Sequence, residues 1–358
     1  MLMSIPLNQG LSYDDVLLTP KKTSVKSLSN VNTSTSIAGL DLSVPVTSAA
    51  MDTVTEKDLC IELAKLGGLG VLHRFMSPQD QAEQVLEIKQ TQFSHKDSAT
   101  DQKGRPIVGA AIGLYDEKRA RKLVDAEVDA LVIDIAHGHH TELVEKLEYY
   151  AKQYPDTVII AGNVATSEAA RDLEKAGADA IKVGIGPGSA CTTREMTGVG
   201  IPQFTAVQNC VDAVDIPVIA DGGIRKPGDL AKAVMAGASA GMIGGMFAGT
   251  KEAPGKLVEE NGRKYKEFRG MSSREAAEKR AEKEDRDLKL SEKVSEGEAD
   301  KVIYKGSLED IVTQLKGGLC SSISYCGADN LQEAQNNSEF IQITSSTVYR
   351  NGSHMDSL

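Results

Sequence analysis

The chain has 358 residues, of which 41% are hydrophobic and 25% are charged, and its formal net charge is −11. These proportions are ordinary for a globular protein with a large core, and the negative balance argues against nonspecific binding to nucleic acid. No apolar run approaches the roughly 20 residues of a membrane span, and the first residues do not have the pattern of a signal peptide. We therefore expect a cytoplasmic protein without a nucleic-acid or membrane partner.

Short apolar runs rich in β-branched residues recur along the chain, and stretches with helical apolar spacing, such as 115–129 and 167–179, separate them. Near-continuous apolar runs are typical of buried parallel strands. Eight such units predict a single (β/α)8 TIM barrel over 1–358, and a doubly wound sheet is the alternative with the same alternation. The predicted strands are 45–51, 68–73, 107–113, 130–136, 157–164, 180–186, 217–223 and 241–245.

Polar stretches interrupt this alternation. The segment at about 271–303 is charged and has almost no large apolar residues over most of its length. A solvated surface helix would have such a composition, and so would a mobile flap that excludes water from a barrel mouth, which is the interpretation we adopt. Residues 91–106 form a polar loop between predicted strands two and three, and about 343–358 form a C-terminal tail.

Polar or glycine-rich residues follow almost every predicted strand, at the end where barrel enzymes carry their active sites. Three successive strand ends are rich in glycine, and the backbone N–H groups of such loops can hold a phosphate. Glycines also serve tight turns alone, but three neighbouring strand ends favour a phosphate site, and Asp221 beside them could accept hydrogen bonds from a ribose. The predicted cradle comprises Gly186, Gly188, Ser189, Gly222, Gly223, Gly244 and Gly245.

One of the five cysteines stands apart from the others. The five are odd in number and scattered without metal-binding spacing, which predicts reduced thiols. Cys191 lies in the glycine-rich loop 184–198, next to Thr193 and Arg194. Backbone amides and a nearby cation favour the thiolate, which can add to an electrophilic carbon. The remaining cysteines are expected to be small buried hydrophobic residues: Cys60, Cys210, Cys320 and Cys326.

Two acidic residues, Asp134 and Glu296, also have a functional and a structural interpretation. Asp134 ends the fourth predicted strand, where it could hold a ribose or an amide group at the barrel mouth. His137, His139 and His140 follow it, but a strand-to-helix turn gives them no firm ligand geometry, so we predict no metal site there. Glu296 lies in the predicted flap and, taken alone, would be a solvated carboxylate.

Several stretches resemble one known family, the IMP dehydrogenase / GMP reductase family, over essentially the whole chain. The most specific of them is GIGPGSACTTR at 184–194. The resemblance implies that Cys191 attacks C2 of a purine nucleotide. The other matching stretches are YDDVLLTP at 13–20, SAAMDTVTE at 48–56, GNVAT at 162–166, IADGGI at 219–224, FRGMSS at 268–273, YKG at 304–306 and YCGA at 325–328.

The resemblance also implies roles for other residues. Thr193 with Glu296 would relay a proton. Asp134 and Gly184 would face the nicotinamide cofactor, NADPH or NAD. Backbone carbonyls of Gly186, Gly188 and Cys191 would bind a monovalent cation, K⁺ in our prediction, and the protein would be a homotetramer. Residues that would bind the purine nucleoside monophosphate are Ser48, Met51, Asn163, Ser189, Asp221, Gly222, Gly223, Gly244, Gly245, Gly270 and Met271.

The family contains two reactions, and the sequence favours GMP reductase, with IMP dehydrogenase as the alternative. Dehydrogenases carry an Arg-Tyr pair that activates water, but here Asp287 follows Arg286; GMSS at 270–273 also leans towards the reductase. The loop 91–106 occupies the place of the two CBS domains that most dehydrogenases have. Against this, KEAPG at 251–255 and NGSH at 351–354 resemble dehydrogenases. A nucleotide-binding regulatory protein without catalysis is the non-enzymatic alternative.

Overall fold

A computed structural model describes residues 9–93, 95–273 and 297–344, and eight parallel strands form its centre. Seven of the strands fall inside the predicted apolar runs, and the eighth begins one residue before the run 241–245 and overlaps it, so the predicted strands are confirmed. They are β1 (Val46–Ser48), β2 (Gly70–Leu72), β3 (Val108–Ile112), β4 (Ala130–Asp134), β5 (Val158–Val164), β6 (Ala180–Val183), β7 (Val218–Asp221) and β8 (Ala240–Ile243).

The eight strands close into a barrel. Their hydrogen-bonded order is β1-β8-β7-β6-β5-β4-β3-β2, and every pair is parallel. A further parallel bridge between Thr47 and Leu69 joins the two ends of this order, with the Ser48 amide donating to the Leu69 carbonyl at 3.0 Å. The fold is therefore a (β/α)8 TIM barrel, as predicted, and the doubly wound alternative, which leaves an open sheet, is wrong.

Helices surround the barrel and cover the outer faces of the strands. Ser77 shows how one of them begins: its hydroxyl accepts the Asp80 amide at 3.0 Å, and Pro78 fits the first helical position. The outer helices are α1 (Lys57–Lys65), α2 (Pro78–Lys89), α3 (Glu117–Asp125), α4 (Thr141–Gln153), α5 (Ser167–Lys175), α6 (Gln203–Val211), α7 (Pro227–Met235) and α8 (Leu308–Tyr325).

Side-chain alternation along the strands divides the core into an inner and an outer cluster. Ala180 and Ile219 belong to the cluster inside the barrel, whereas their neighbours pack against the helices. Alternate residues of a strand share a face, so a residue two positions after an inward-facing one also points into the barrel. At the carboxyl ends of β4, β6 and β7 the inward-facing residues are polar: Asp134, Lys182 and Asp221.

The opposite, amino-terminal end of the barrel is closed by apolar residues. A hairpin of Thr35–Ile37 and Leu40–Leu42 precedes β1. Ile37 and Leu42 are buried and belong to the inner cluster. These residues close the barrel interior at this end, which leaves the carboxyl ends of the strands as the open side of the described barrel.

A buried lysine, Lys89, lies at this amino-terminal end. The Lys89 ammonium, at the end of α2, donates to Asp129 at 2.7 Å, to Asp101 at 3.2 Å and to the Pro106 carbonyl at 2.9 Å. Asp129 also accepts the Val108 amide at 2.7 Å. These bonds tie the loop after α2 to the start of β3 and β4.

Smaller elements complete the described chain. The strand Arg263–Arg269 pairs with Leu257–Glu260 and with Ala299–Ile303, so the last residues of the predicted flap form part of a three-stranded sheet. No helix among the described residues is long and apolar enough to cross a membrane. The other elements are the 3-10 helices Tyr13–Asp15 and Leu28–Asn30, the paired strands Val16–Leu18 and Phe340–Gln342, and the helices Thr193–Thr197, Gly245–Ala248 and Leu331–Asn337.

Candidate active site

A cavity of about 760 Å³ opens at the carboxyl ends of the barrel strands. This volume lies in the usual range for small-molecule sites. Ser48 does not line it: this side chain is buried, and its hydroxyl accepts the Val71 amide at 3.1 Å. Glu296 lies outside the described residues. All the other predicted site residues line the cavity: Met51, Asp134, Asn163, Gly184, Gly186, Gly188, Ser189, Cys191, Thr193, Asp221, Gly222, Gly223, Gly244, Gly245, Gly270 and Met271.

The Cys191 thiol lies at the cavity wall, between the β6 loop and the three-stranded sheet. It is partly exposed, whereas the other four cysteines are buried, as predicted. Its sulfur lies 3.1 Å from the Thr193 hydroxyl oxygen. The backbone of Cys191 pairs with Gly297, the residue that follows Glu296 in the chain. The thiol therefore has a hydroxyl partner within hydrogen-bond distance and access to a ligand.

Arg194 holds the loop that carries the thiol. Its guanidinium donates to the Ile185 carbonyl at 3.3 Å and to the Ile201 carbonyl at 2.6 Å. Burial lowers the pKa of Arg194, and the adjacent Cys191 opposes that shift when it is ionised. The stem of this side chain fills the space above Gly186, where a Cβ would lie 2.5 Å from the Arg194 Cγ. The sequence thus places a cation beside the thiol and uses it to fix the loop.

The glycine-rich loops of three strands approach one another around the same cavity. A Cβ at Gly222 would lie 2.8 Å from Pro187, and one at Gly245 would lie 2.8 Å from the Ser189 hydroxyl oxygen. Gly222 also has φ = 92°, a conformation that favours glycine. Larger residues at these positions would fill the cavity or displace its neighbours. The predicted phosphate cradle therefore consists of loops from β6, β7 and β8 that are in contact with each other.

Lys182 is the residue that our sequence reasoning missed. It is 3% exposed, and its ammonium donates to Asp134 and Asp221, both at 2.7 Å, and to the Asn163 side-chain oxygen. A lysine in the middle of a predicted buried strand was the available signal, because buried lysines are almost always paired. Alternation places it on the same face as Ala180, inside the barrel.

A bulge brings Asn163 to this cluster. The register between β5 and β6 shifts between Gly162 and Val164, and such a shift redirects one side chain. The Asn163 side-chain nitrogen then donates to the Gly184 carbonyl at 2.7 Å and to the Asp221 carboxylate at 2.9 Å. Sequence alternation alone would not have placed this amide beside the lysine.

The two carboxylates beside Lys182 keep acceptor capacity, and the pKa of one of them, Asp134, is shifted. Burial raises the pKa of Asp134, but the Lys182 charge and, more weakly, Arg74 outweigh burial, so the pKa is lowered overall. Burial lowers the pKa of Lys182, and the two carboxylates raise it well above its usual value. Asp134 Oδ2 and Asp221 Oδ1 accept no bond from a described residue, so each can accept one from a ligand in the cavity.

Two of the three histidines after β4 have partners outside the cavity. His139 contacts Asp172 at 3.0 Å, and the His140 ring accepts the Glu142 amide at the start of α4. His139 thus contacts α5, and His140 caps the start of α4.

A family model described as the IMP dehydrogenase / GMP reductase domain matches residues 10–354. The chain belongs to the IMP dehydrogenase / GMP reductase family. Members of this family are NAD(P)-dependent oxidoreductases, so the predicted enzyme class is confirmed.

Two curated relatives and one solved structure show how the chain compares within the family. Inosine-5'-monophosphate dehydrogenases from Borreliella burgdorferi and Methanocaldococcus jannaschii are 39% and 37% identical, over 97% and 96% of this chain and 97% and 94% of theirs. A cysteine-to-alanine variant of GMP reductase from Trypanosoma brucei, crystallised in complex with guanosine 5'-monophosphate, is 31% identical with a TM-score of 0.93, covering 97% of this chain and 98% of its own. The chain thus resembles members that carry either name.

The family relatives contain residues that this chain does not have. The alignment with the Methanocaldococcus protein spans 471 positions, and this chain has 358 residues, so at least 113 positions (471 minus 358) are filled by the relative alone. In the described part of this chain, only α2 and a short loop connect β2 to β3. That connection therefore has no room for the CBS domains expected at this place in most dehydrogenases.

The residues present fit a nicotinamide cofactor and a monovalent cation. Asp134 has a carboxylate oxygen that could accept a bond from a ribose, and it lines a cavity large enough for small-molecule ligands. In the loop after β6, the Gly188 carbonyl accepts the Cys191 amide at 3.1 Å, while the carbonyls of Gly186 and Cys191 accept no bond from a described residue. Carbonyl oxygens of this kind are suitable ligands for a hard cation.

Proposed function

We propose that the protein is a purine nucleotide oxidoreductase that acts at C2 of a nucleoside 5'-monophosphate through a covalent bond to Cys191. One observation carries this proposal. The thiol, three glycine-rich loops and a lysine-bound pair of carboxylates line a single cavity in a chain of this family. The GMP complex of the Trypanosoma relative supports a purine nucleotide as the ligand.

The lead reaction is the reduction of GMP to IMP. The Cys191 thiolate adds to C2 of GMP, and the bond from C2 to the amino nitrogen breaks as ammonia leaves with a proton. Thr193, whose hydroxyl oxygen lies 3.1 Å from the sulfur, begins the proton relay that Glu296 completes. Reduced nicotinamide supplies a hydride to C2, and the thiolate is released as IMP forms.

Different walls of the cavity bind different parts of the nucleotide. Backbone amides of the loops after β6, β7 and β8 hold the phosphate. Asp221, fixed by Lys182 at 2.7 Å and by Asn163 at 2.9 Å, accepts from the ribose hydroxyls. Gly270 and Met271 approach from the three-stranded sheet, and Asp134 holds the ribose of the cofactor. These groups fix the position of C2 relative to Cys191, which is the condition for attack.

The flap sequence supports GMP reduction over IMP oxidation. IMP dehydrogenase must hydrolyse a Cys-linked XMP adduct and therefore needs an activated water. Asp287 stands where the family's dehydrogenases carry the tyrosine that partners the arginine. A carboxylate beside Arg286 would favour the charged guanidinium, which is the wrong state for a base. GMP reduction needs no such water.

IMP dehydrogenase is the second candidate, and the curated relatives favour it. The relatives from Borreliella and Methanocaldococcus both carry that name at identities above 35%. In that reaction Cys191 bonds to C2 of IMP as a hydride leaves for NAD⁺, and water then releases XMP. Thr193 with Glu296 would have to activate the water.

Paired assays test the proposal. The protein is supplied with GMP and NADPH, and separately with IMP and NAD⁺, while the absorbance of reduced nicotinamide and the release of ammonia are followed. We expect sustained turnover with GMP, and at most a burst of reduced cofactor with IMP because the adduct is not hydrolysed. Sustained XMP formation at a rate equal to or above GMP reduction would establish the dehydrogenase instead. No turnover in either assay would leave the non-enzymatic alternative.

Two further properties follow from the family and are part of the proposal. The loop carbonyls of Gly186, Gly188 and Cys191 would bind K⁺, so exchanging K⁺ for Li⁺ should lower the rate. The protein would be a cytoplasmic homotetramer, which sedimentation velocity of the purified protein can test for its oligomeric state. NADPH is the expected cofactor, and comparison with NADH decides the preference.

A further inference from the structure

A buried ion pair outside the predicted site joins the barrel to the three-stranded sheet. Asp52 follows β1, and Arg269 ends the strand Arg263–Arg269. The Arg269 Nε donates to both Asp52 carboxylate oxygens, at 3.0 and 3.1 Å, and its terminal nitrogen donates to one of them. The side chains are only 7% and 10% exposed. Such a fork between a planar guanidinium and a carboxylate fixes orientation as well as distance.

Further bonds from the same two residues reach the cavity wall. The Arg269 amide donates to the Thr53 hydroxyl at 3.3 Å, and the Asp52 amide points at the Met271 sulfur at 3.4 Å. Met271 and its neighbour Gly270 line the nucleotide cavity. The ion pair therefore lies directly behind the part of the sheet that faces the ligand.

The same sheet contacts the loop that carries the nucleophile. The Gly270 amide donates to the Glu298 carbonyl at 2.8 Å, and the Glu298 amide donates to the Ala190 carbonyl at 3.1 Å. A Cβ at Gly270 would lie 2.6 Å from that Ala190 carbonyl oxygen. A shift of the Arg269 strand end would thus be transmitted through the backbone bonds of Glu298, and through the close approach of Gly270, to Ala190, the residue before Cys191.

We infer that Asp52 and Arg269 are a positioning pair for the reaction. They hold Gly270 and Met271 against the nucleotide and, through Glu298, hold the loop of Cys191 in place. Neither side chain touches the reacting atoms, because the pair lies behind the sheet. This inference rests on the proposed function where it is tested by the kinetics of GMP reduction, but not where it is tested by the reactivity of the Cys191 thiol.

The test compares two Arg269 variants with a control variant and has two readouts, kcat/KM for GMP and the alkylation rate of Cys191. Arg269→Met removes the fork, and Arg269→Lys keeps the charge without the bidentate geometry. Asp129→Asn is the control, because it also breaks a buried ion pair, Lys89–Asp129, but at the other end of the barrel. For each variant we would measure the thermal midpoint, kcat and KM for GMP, and the rate at which iodoacetamide alkylates Cys191 without nucleotide.

We expect Arg269→Met to lower kcat/KM for GMP at least tenfold and to change the alkylation rate of Cys191 at least threefold. Arg269→Lys should fall between it and the wild type, and Asp129→Asn should lower the thermal midpoint while leaving both readouts within twofold. If Arg269→Met leaves either readout within twofold, the pair is structural only and the inference is wrong. Should Arg269→Met not fold, Asp52→Asn gives the same two readouts and decides the question.

The alkylation rate separates this inference from the proposed function. If the wild type turns over no purine nucleotide, the proposed function fails. An altered alkylation rate in Arg269→Met but not in Asp129→Asn would still support a pair that positions the Cys191 loop, and unaltered alkylation in that case would reject it.

Discussion

The two ends of the barrel each contain a buried lysine between two aspartates, yet the two clusters are built differently. Lys89 at the amino-terminal end also bonds to a backbone carbonyl, and its partner Asp129 accepts a backbone amide. Lys182 at the carboxyl end bonds only to side chains in the described structure, and those side chains line the cavity. The Lys89 cluster holds loops together away from the cavity, whereas the Lys182 cluster keeps acceptors beside the cavity.

This comparison teaches that a buried charge is not by itself a sign of function. Removing one partner from a buried pair destabilises a protein in either place, because the other charge is left without compensation. What differs is whether the partners retain unused hydrogen-bonding capacity beside a cavity. By that criterion we assign the Lys182 cluster to the proposed active site and the Lys89 cluster to the scaffold.

We expect the largest difference between the two clusters in the kcat/KM of variants in which Lys182 or Lys89 is replaced by an uncharged residue. Lys182→Met leaves Asp134 and Asp221 facing each other, so we expect kcat/KM for GMP to fall about a hundredfold or more, together with a loss of stability. Lys89→Met should lose stability of similar size, about 3–5 kcal/mol, with kcat/KM within about threefold. Steady-state kinetics and urea unfolding of both variants provide the measurement. Equal kinetic effects would break the distinction between the two ends.

A glycine at the cavity wall provides a second, smaller contrast. Gly270→Ala places a methyl group 2.6 Å from the Ala190 carbonyl oxygen, so we expect a loss of about tenfold in kcat/KM as the Cys191 loop moves. Gly317→Ala, in the middle of α8 with open space around it, should leave the kinetics unchanged and add up to about 1 kcal/mol of stability. A Gly270→Ala enzyme with wild-type kcat/KM would show that this contact does not set the position of the thiol.

The pH dependence of stability should differ in sign between Asp134 at one end and Asp129 at the other. The folded-state pKa of Asp134 is lowered, so its contribution is present above the unfolded value near 4 and is lost as the pH falls through the folded pKa. Burial raises the pKa of Asp129 despite Lys89, so its ionised form costs stability that is regained on acidification. Urea unfolding between pH 3 and 6 (roughly,) of Asp134→Asn and Asp129→Asn measures both.

The expected outcome is that the stability advantage of the wild type over Asp134→Asn shrinks as the pH falls. The advantage over Asp129→Asn should grow in the same range. Identical slopes for the two variants would contradict the assigned directions of these pKa shifts.

The sequence predicted the strands and most of the cavity because both depend on local signals. Buried parallel strands appear as apolar runs, and the residues after them, such as Cys191 and Gly222, meet by the geometry of a barrel. Ser48 was the exception. A residue at a strand end can face either the cavity or the barrel wall, and the bond of Ser48 to Val71 places it in the wall. Only the fold reveals such a partner.

Lys182 and Asn163 show two further limits of sequence reasoning. The lysine could have been found by alternation, since it shares a face with Ala180, but its two partners come from other strands. The asparagine depends on a bulge that no residue pattern marks. The Asp52–Arg269 pair joins positions 217 residues apart, and a single sequence contains nothing that links them.

The central claim is that Cys191 makes the bond to C2, and the Cys191→Ala variant tests it most directly. The measurement is the rate of NADPH oxidation with GMP by this variant, in a preparation shown to bind GMP by calorimetry. Backbone amides, which the substitution leaves intact, hold the phosphate, so we predict binding within about tenfold of the wild type. Oxidation should fall to the background rate, because no other described cysteine lines the cavity. Sustained NADPH oxidation dependent on GMP would contradict the account.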